Sequence, residues 1–305
     1  DMPGKAYVPW LGKTVEDPTR YGIYFQERWE DALQVDPEFI YLNDWNEWIA
    51  GKFGWDDPWL GRHSNFWFVD QYNAEFNRTI QPMKGGYTDN FYMQMAQNIR
   101  RYKGVRPIPE NKGYRNIAID GNFQDWKKVT VEYRDTRGDI TERDAKGYAG
   151  LHYTDNTGRN DIQESKVAVS KDGKVYFYVR TGEDITACTD ANWMLLFIDS
   201  DQDSKTGWFG YDFLINKNAD IDGTTDIMRY VDGNWSATAS VPYAVTGNEL
   251  ELAVPAEIIG VTGKTAGFDF KWADNPQELT DPISLCLHGD TAPNRRFNYR
   301  FIWNK

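Results

Sequence analysis

The sequence has few residues of the kinds that build disulfide scaffolds or soft-metal sites. Only two of its 305 residues are cysteine, Cys188 and Cys286, and only three are histidine. The two cysteines lie far apart in the chain, so one disulfide or two buried free thiols would fit equally well. The histidines, His63, His152 and His288, share no motif with a partner one helical turn away. We therefore expect neither a zinc centre nor a histidine-based catalytic triad.

Positive charge and long apolar runs are also scarce. The chain has 34 Lys and Arg against 46 Asp and Glu, which gives a net charge of -12. A nucleic-acid-binding surface needs basic groups for the phosphates, so no nucleic-acid partner is expected. No apolar run approaches the ~20 residues of a membrane-spanning helix, and the start DMPGKAYVPW lacks the regions of a signal peptide. We expect a soluble chain, already processed if it is exported.

The first third of the sequence predicts strands and helices in alternation. A short strand over 6–10 is followed by a helix that begins at Asp17 and ends at Asp36, because Pro37 cannot continue it. The apolar run FIYL over 39–42 predicts a strand buried on both faces. Strand, helix and buried strand together indicate a parallel βαβ unit. A second helix is predicted over 89–103, with Thr88 as its cap.

From Tyr114 onward the sequence changes to short alternating runs between turn signals. Three dipeptides predict hairpin turns: Asp172-Gly173, Asp232-Gly233 and Gly247-Asn248. Further strands are predicted over 193–198, 211–216, 225–230, 249–254, 268–273 and 297–303. Frequent short strands with almost no helix between them indicate an antiparallel β-sandwich. We therefore expect an α+β multidomain chain, with a βαβα segment over 1–104, a Pro-rich linker over 105–113 and the sandwich over 114–305.

The candidate catalytic residue is Glu47, which lies in the motif D-W-N-E-W over 44–48. The motif follows the predicted buried strand, at the strand end where parallel sheets and barrels keep their active sites. Flanking tryptophans would desolvate the carboxylate and raise its pKa, which suits proton transfer. Rings stack on sugar faces while Asp and Asn bond hydroxyls, so the candidate substrate contacts are Asp44, Trp45, Asn46 and Trp48. In the alternative interpretation the loop packs a local core, with Glu47 paired to Arg62 or Lys52.

The same motif carries a resemblance. WNEW followed by Gly51 resembles the strand-end motif W-N-E-W-x-E-G of glycoside hydrolase family 99, whose members are (β/α)8-barrel enzymes acting on glycans. The resemblance gives Glu47 the place of the first carboxylate, while the second falls on Ala50. Glycosidases normally use two carboxylates, and the remaining candidates, among which the spacing selects none, are Asp44, Asp56, Asp57 and Asp70. A closed barrel takes ~250 residues, so residues 1–104 would be only the C-terminal portion of one.

The second region carries a resemblance of its own. IAIDGNFQDW over 117–126 and LLFIDSDQDSKTGWFGYDFLIN over 195–216 resemble the family 9 carbohydrate-binding module-like domains. This implies a glycan-binding β-sandwich over 114–305, in which Trp126 is expected to be a core anchor. The rings that could form a sugar platform there, each also a core candidate, are Trp193, Trp208, Trp235 and Trp272. The candidate hydroxyl partners are Arg159, Asn160 and Asp161.

A candidate metal site lies in the acidic stretch D-S-D-Q-D. Its alternating carboxylates, Asp199, Asp201 and Asp203, could converge on one hard cation, and calcium is the natural candidate because it takes six to eight oxygen ligands. The stretch is not an EF-hand, since Ser204 and Gly210 stand where that loop needs Gly and Glu. The alternative is a solvated acidic turn.

The leading hypothesis is a carbohydrate-active protein, a glycoside hydrolase or its C-terminal fragment with an appended glycan-binding sandwich. Its partner would be a polysaccharide or oligosaccharide, with calcium as the one candidate cofactor. The alternatives are a non-catalytic glycan-binding or surface scaffold protein, or a structural sandwich with no sugar affinity. From the family resemblance we expect a secreted, periplasmic or cell-surface location.

Overall fold

The protein, analysed as a computed structural model, is mostly antiparallel β-sheet with few helices. It divides into two compact units, residues 1–106 and 107–305, and the boundary falls inside the predicted linker. No helix among the described residues is long and apolar enough to cross a membrane. The structure describes residues 7–8, 12–16, 18–43, 45–46, 52–53, 67–68, 79–82, 89–140, 143–146, 152–155, 157–262, 265–295 and 297–304.

The described part of the first unit contains three helices and two small strand pairs. Strands β1 and β2 pair antiparallel, as do β3 and β4. The elements are β1 (Tyr7–Val8), β2 (Lys13–Thr14), α1 (Pro18–Tyr21), α2 (Ile23–Val35), β3 (Lys52–Phe53), β4 (Trp67–Phe68) and α3 (Asn90–Lys103).

The predicted helix over 17–36 is confirmed from Pro18 to Val35, with a break between α1 and α2 at Gly22, and its predicted start, Asp17, lies outside the described residues. This glycine has a left-handed φ of +56°, and a Cβ there would lie 1.9 Å from Oε1 of Gln94. Only glycine allows that conformation and that close approach without cost. Helix α2 ends at Asp36, which is also left-handed, with φ 49°. The predicted second helix is confirmed as α3, although its N-cap is Asp89, and Thr88 lies outside the described residues.

The predicted doubly buried strand over 39–42 is wrong. The side chains of Phe39 and Tyr41 are each 74% exposed, whereas Ile40 and Leu42 pack against the core of α2 and α3. The segment is extended and covered on one face, and it pairs with no strand among the described residues. The described residues therefore do not form the parallel βαβ unit, and the barrel segment stays a prediction.

Helices α2 and α3 meet through a small apolar cluster and a polar network. The apolar cluster is centred on Trp29, Ile80 and Met95. Beside it, the buried Asn98 amide donates to Gln26 Oε1 at 2.9 Å and accepts from Gln26 Nε2 at 3.1 Å. Arg101 forms two hydrogen bonds with Glu30, at 2.6 and 2.9 Å, and they lower the pKa of Glu30 to about 2.

The second unit contains most of the strands. A 3-10 helix, Phe123–Lys128, precedes them, and one short helix, α4 (Ser284–Leu287), lies near the end. The strands are β5 (Glu132–Arg134), β6 (Arg143–Lys146), β7 (His152–Asp155), β8 (Ile162–Val169), β9 (Lys174–Thr181), β10 (Leu195–Asp199), β11 (Phe213–Asp220), β12 (Thr224–Val231), β13 (Asn234–Thr246), β14 (Glu249–Pro255), β15 (Thr265–Asp274), β16 (Asp290–Ala292) and β17 (Tyr299–Asn304).

The main sheet follows the order β16-β15-β10-β11-β12-β13-β14-β9-β8-β5, and β17 also pairs with β15. The hairpin predictions are confirmed, because the three predicted turns join β8 to β9, β12 to β13 and β13 to β14. All six further predicted strands are present. The long strand β13 pairs with β12 through residues 234–242 and with β14 through residues 243–246.

Strands far apart in this order share one apolar core. The ring of Phe177 in β9 lies 5.6 Å from the rings of both Phe268 and Phe270 in β15. Buried side chains of β8, β10, β11 and β14 join the same cluster. Cys188 is a free thiol that packs against it, which fits the free-thiol alternative, and the side chain of Cys286 lies outside the described residues.

Trp126 is a core anchor, as expected. It is buried in the 3-10 helix, and its Nε1 donates to Oε2 of Glu251 at 2.7 Å. The other oxygen of Glu251 accepts from the backbone N–H groups of Asp120 and Gly121, at 3.0 and 2.9 Å. Three hydrogen bonds to the buried carboxylate thus hold the segment IDGNFQDW against β14, and both oxygens of Glu251 are partnered.

Candidate functional site

The predicted catalytic motif is only partly described. Asp44, Glu47, Trp48 and Ala50 lie outside the described residues, so the catalytic role of Glu47 stays a prediction. Asn46 forms an isolated antiparallel bridge with Thr79, and the carbonyl of Trp45 accepts from Ile80 N at 2.9 Å. The Trp45 ring packs edge-on against Tyr92, yet the residue is 44% exposed. One ring of the motif is therefore free to contact a ligand.

The acidic loop between β10 and β11 brings three carboxylates together. Asp199 ends β10, Asp212 directly precedes β11, and Asp201 lies between them in sequence; one ligand atom from each lies within 4.8 Å of the others. Of the predicted set, Asp199 and Asp201 belong to this group, and the metal role of Asp203 stays a prediction. Oδ1 of Asp203 accepts from Lys205 N at 3.0 Å, so this carboxylate holds a turn.

Burial and like charge act on this carboxylate group. Asp199 is only 6% exposed, and burial, followed by the charges of Asp269, Asp212 and Asp201, raises its pKa to about 7. Its Oδ1 accepts from Gln202 N at 2.6 Å, while its Oδ2 accepts no hydrogen bond from the described residues. Oδ2 of Asp212 accepts from Ser200 N and Oγ, at 2.9 and 2.7 Å. Such an all-oxygen group can bind a hard cation.

The same loop folds onto the outer face of the sheet through Trp208. This ring is buried and stacks on Phe197, with centroids 5.7 Å apart and planes at 21°. Trp208 and Tyr211 exchange two backbone hydrogen bonds, at 2.8 and 3.0 Å. Gly207 permits this turn, because a Cβ there would lie 2.3 Å from the carbonyl oxygen of Tyr211. Trp208 is therefore a core residue, which corrects its assignment as a sugar platform.

Two other predicted platform rings are also core residues. Trp193 is buried and donates its Nε1 to the carbonyl of Thr186 at 2.8 Å. Trp272 is buried and donates to Ser165 Oγ at 3.0 Å. Neither ring offers a face to a ligand, because each is covered on both sides by the apolar core.

The predicted hydroxyl partners are engaged within the fold. Arg159 donates its Nε to Oδ2 of the fully buried Asp274 at 2.8 Å and pairs with Asp190 at 3.2 Å. Burial raises the pKa of Asp274, and the charge of Arg159 opposes that shift. The carboxylate of Asp161 accepts from Gly138 N and from a side-chain amide, and the amide of Asn160 is bonded on both sides by Thr186. These three residues therefore have structural roles.

Trp235 is the predicted platform ring that reaches the surface. It lies directly opposite Tyr230 in the β12–β13 pair, with ring centroids 5.1 Å apart, and both rings are partly buried. Phe209, which is 64% exposed, and Trp235 both contact the ring of Trp208, at 5.6 and 6.2 Å. We call Phe209, Tyr230 and Trp235 the outer aromatic patch.

Polar groups flank this patch on the same face. Side chains alternate along β12, so Asp226 points to the side of Tyr230, and its Oδ2 accepts from Asn218 Nδ2 at 3.2 Å. Sequence reasoning missed Phe209 and Tyr230. The signal for Tyr230 was available, since Tyr230 and Trp235 flank the Asp232-Gly233 turn symmetrically and must share a face. No pattern in the sequence identified Phe209, because its exposure depends on the fold of the acidic loop.

Searches against protein-family models, curated proteins and solved structures found no match to this chain. The family 99 and family 9 resemblances therefore rest on the quoted motifs alone, and the function is argued from the geometry above.

Proposed function

We propose that this is a glycan-binding protein, whose second unit is an antiparallel β-sandwich that presents the outer aromatic patch to a polysaccharide or oligosaccharide. The observation that carries the proposal is the pair of rings, Tyr230 and Trp235, side by side on a sheet face and joined to the exposed Phe209 through Trp208. Such a partner would suit the secreted, periplasmic or cell-surface location expected from the sequence.

The chemistry of the patch fits a sugar. The C–H faces of a pyranose ring are apolar and flat, so they stack on aromatic rings and remove both surfaces from water. Sugar hydroxyls then need hydrogen-bond partners beside the rings, and Asn218 and Asp226 supply an amide and a carboxylate on that face. A few polar groups at the rim of an apolar surface are typical of ligand sites.

Calcium is proposed as the cofactor of the acidic loop. Its ligands would be Asp199, Asp201 and Asp212, because two Ca–O bonds of ~2.3 to 2.6 Å span the 4.8 Å within which their oxygens lie. These residues tie the end of β10 to the start of β11. The loop between them carries Trp208 and Phe209, so a fixed loop would hold one side of the outer aromatic patch in place.

Glycan hydrolysis is the second candidate function. The half-exposed ring of Trp45 favours ligand contact at the start of the WNEW motif. Ala50 argues against hydrolysis, because it occupies the place of the second carboxylate and can neither donate a proton nor attack a sugar. The hydrolase role of Glu47 is therefore kept as a proposal subordinate to binding.

Glycan retention by the full chain tests the proposal. We expect native gels cast with a panel of polysaccharides to retard the wild type, and Trp235→Ala to weaken that affinity about tenfold, since a central ring is worth more than ~1 kcal/mol. Tyr41→Ala is the matched control, because this ring is also exposed and lies in the other unit. Sugar release during the incubation would support hydrolysis, whereas retention without products would support binding alone.

Two outcomes would contradict the proposal. One is a wild type that no glycan retards. The other is Trp235→Ala with unchanged affinity for a glycan that the wild type binds.

A further inference from the structure

The two ends of the strand order meet beside strand β8. The order begins at β16 and finishes at β5, so these two strands are as far apart along the sheet as possible. Yet Oδ2 of Asp290, the first residue of β16, accepts from Ile162 N of β8 at 2.7 Å. Asp135, the residue after β5, donates its backbone N–H to the carbonyl of Gln163 at 3.2 Å. Two neighbouring residues of β8, Ile162 and Gln163, therefore bond both ends of the strand order.

Three carboxylates converge at this meeting point. Asp135, Asp139 and Asp290 each place one ligand oxygen within 4.8 Å of the others. The two oxygens of Asp290 accept from Ile162 N and Thr291 N, both at 2.7 Å, and the residue is only 4% exposed. Asp290 is thus a fixed carboxylate whose remaining lone pairs face its two acidic neighbours.

Three shielded polar atoms around this group have no hydrogen-bond partner among the described residues. They are Oδ2 of Asp135, Oδ1 of Asp139 and the hydroxyl of Tyr299. Buried polar atoms are partnered in about nine cases of ten, because an unpartnered one loses its hydrogen bonds to water without gaining others. Three such atoms in one place point to a ligand that all of them face. Burial, followed by the charges of Asp135, Asp290 and Asp139, raises the pKa of Tyr299, so all three carboxylates act on this tyrosine.

A buried lysine and a further carboxylate act on this acidic group. Lys271 is fully buried, donates its ammonium to the carbonyl of Pro293 and attracts Asp135. Asp161 adds a further negative charge nearby. Burial and neighbouring carboxylates raise the pKa of Asp135 to about 7 and that of Asp290 to about 8. The carboxylates of this group therefore repel one another, and Lys271 offsets only part of the effect on Asp135.

A small cavity gives access to the group from the side of Asp139 and Asp290. Its lining includes His288, Asn294 and Arg295, of which Arg295 is exposed. The amide of Asn294 donates to Oδ2 of Asp139 at 2.5 Å, which leaves Oδ1 of Asp139 turned to the other carboxylates. The cavity thus borders two of the three carboxylates, Asp139 and Asp290.

We infer that Asp135, Asp139 and Asp290 bind one calcium ion, which cross-links the two ends of the strand order. All the donors are oxygens, which suit a hard cation, and two Ca–O bonds of ~2.3 to 2.6 Å span their separation. The ion would satisfy the unpartnered oxygens and relieve the repulsion among the carboxylates. This site is independent of the acidic loop and of the glycan proposal, since it shares no residue with either.

Calcium titration of the full chain, after treatment with a chelator, tests this site. The variants are Asp139→Asn, which keeps the shape of the side chain but removes its charge, and Asp212→Asn, which alters the other acidic group. We expect Asp139→Asn to lose one bound calcium ion, or to bind it at least tenfold more weakly, in calorimetric titrations with CaCl2. Asp212→Asn should keep this ion.

Melting temperatures separate a lost ion from a damaged fold. Calcium should raise the melting temperature of the wild type by several degrees, and less so in Asp139→Asn. In chelator, Asp139→Asn should melt at or above the wild type, because it removes one repelling charge. The inference is overturned if Asp139→Asn binds calcium with the stoichiometry and affinity of the wild type, or if Asp212→Asn binds none.

Discussion

Each of the two units of this chain has its own kind of stabilising interactions. The second unit has an extended apolar core to which nearly every long strand contributes, with rings such as Phe177, Phe268 and Phe270 in mutual contact. The described part of the first unit has a small apolar cluster around Trp29, and beside it a network of polar side chains that joins α2 to α3. Apolar burial is non-directional, whereas a polar network depends on each partner. The second unit should therefore lose most from cavities, and the first from a missing polar partner.

The largest expected effect is a cavity at Phe177. Phe177→Ala should lower the free energy of unfolding of the second unit by ~3 to 5 kcal/mol, because the ring is fully buried between β9 and β15. Phe209→Ala is the matched control, since that ring is 64% exposed and should change stability by less than ~0.5 kcal/mol. Urea unfolding followed by tryptophan fluorescence measures both. Equal losses in the two variants would contradict the account of the core.

A smaller loss is expected where the second unit does rely on a polar pair. Arg159→Ala should cost about 3 kcal/mol, because it leaves the carboxylate of Asp274 buried without its cation. Arg229→Ala, at an exposed arginine over the ring of Phe213, should cost less than ~1 kcal/mol. Thermal melts and the glycan gels should be run together on both variants. Arg159 would regain its predicted role in sugar contact if Arg159→Ala melted like the wild type but lost glycan retention.

The smallest of the three losses is expected in the first unit. Asn98→Ala should destabilise the α2–α3 pair by ~1 to 3 kcal/mol, because it removes the two hydrogen bonds that the buried Asn98 amide makes with Gln26 across the helix pair. Hydrogen exchange of the α2 and α3 amides reports this locally. Asn90→Ala, at the exposed first residue of α3, is the control and should leave the exchange rates nearly unchanged. If both variants exchange alike, the polar network does not hold the helices together.

Much of the second unit was predictable because its signals are local. The Asp-Gly turn at 172–173 and its alternating flanks define a hairpin without reference to the rest of the chain. The apolar run over 39–42 led to a wrong prediction, because four apolar residues in sequence do not show which faces of the segment are covered. Ile40 and Leu42 are packed, while Phe39 and Tyr41 are not. Likewise, the sequence could not show that Trp208 is buried and Trp235 only partly buried.

The candidate sites were also only partly predictable, because residues far apart in the sequence form them. Asp199 and Asp201 were predicted together because they are two positions apart, whereas Asp212 joins them only after the chain turns back at Gly207. The group of Asp135, Asp139 and Asp290 left no local signal that identified it. Its members come from opposite ends of the second unit, and only the meeting of β5 and β16 at β8 brings them together.

The short terminal strands bear on self-association. A long open strand edge is a template for pairing with another molecule, which is how many β-rich proteins aggregate. Here β5 and β16 are three residues long, and β5 carries the charged side chains of Glu132 and Arg134. Beside β17, Ile302 forms a parallel bridge with Glu110, in a segment whose Pro107 and Pro109 lack the N–H group that an incoming strand would need. Among the described strands, then, the ends of the main sheet offer a second copy of the chain little to pair with, and this favours molecules that stay separate at high concentration.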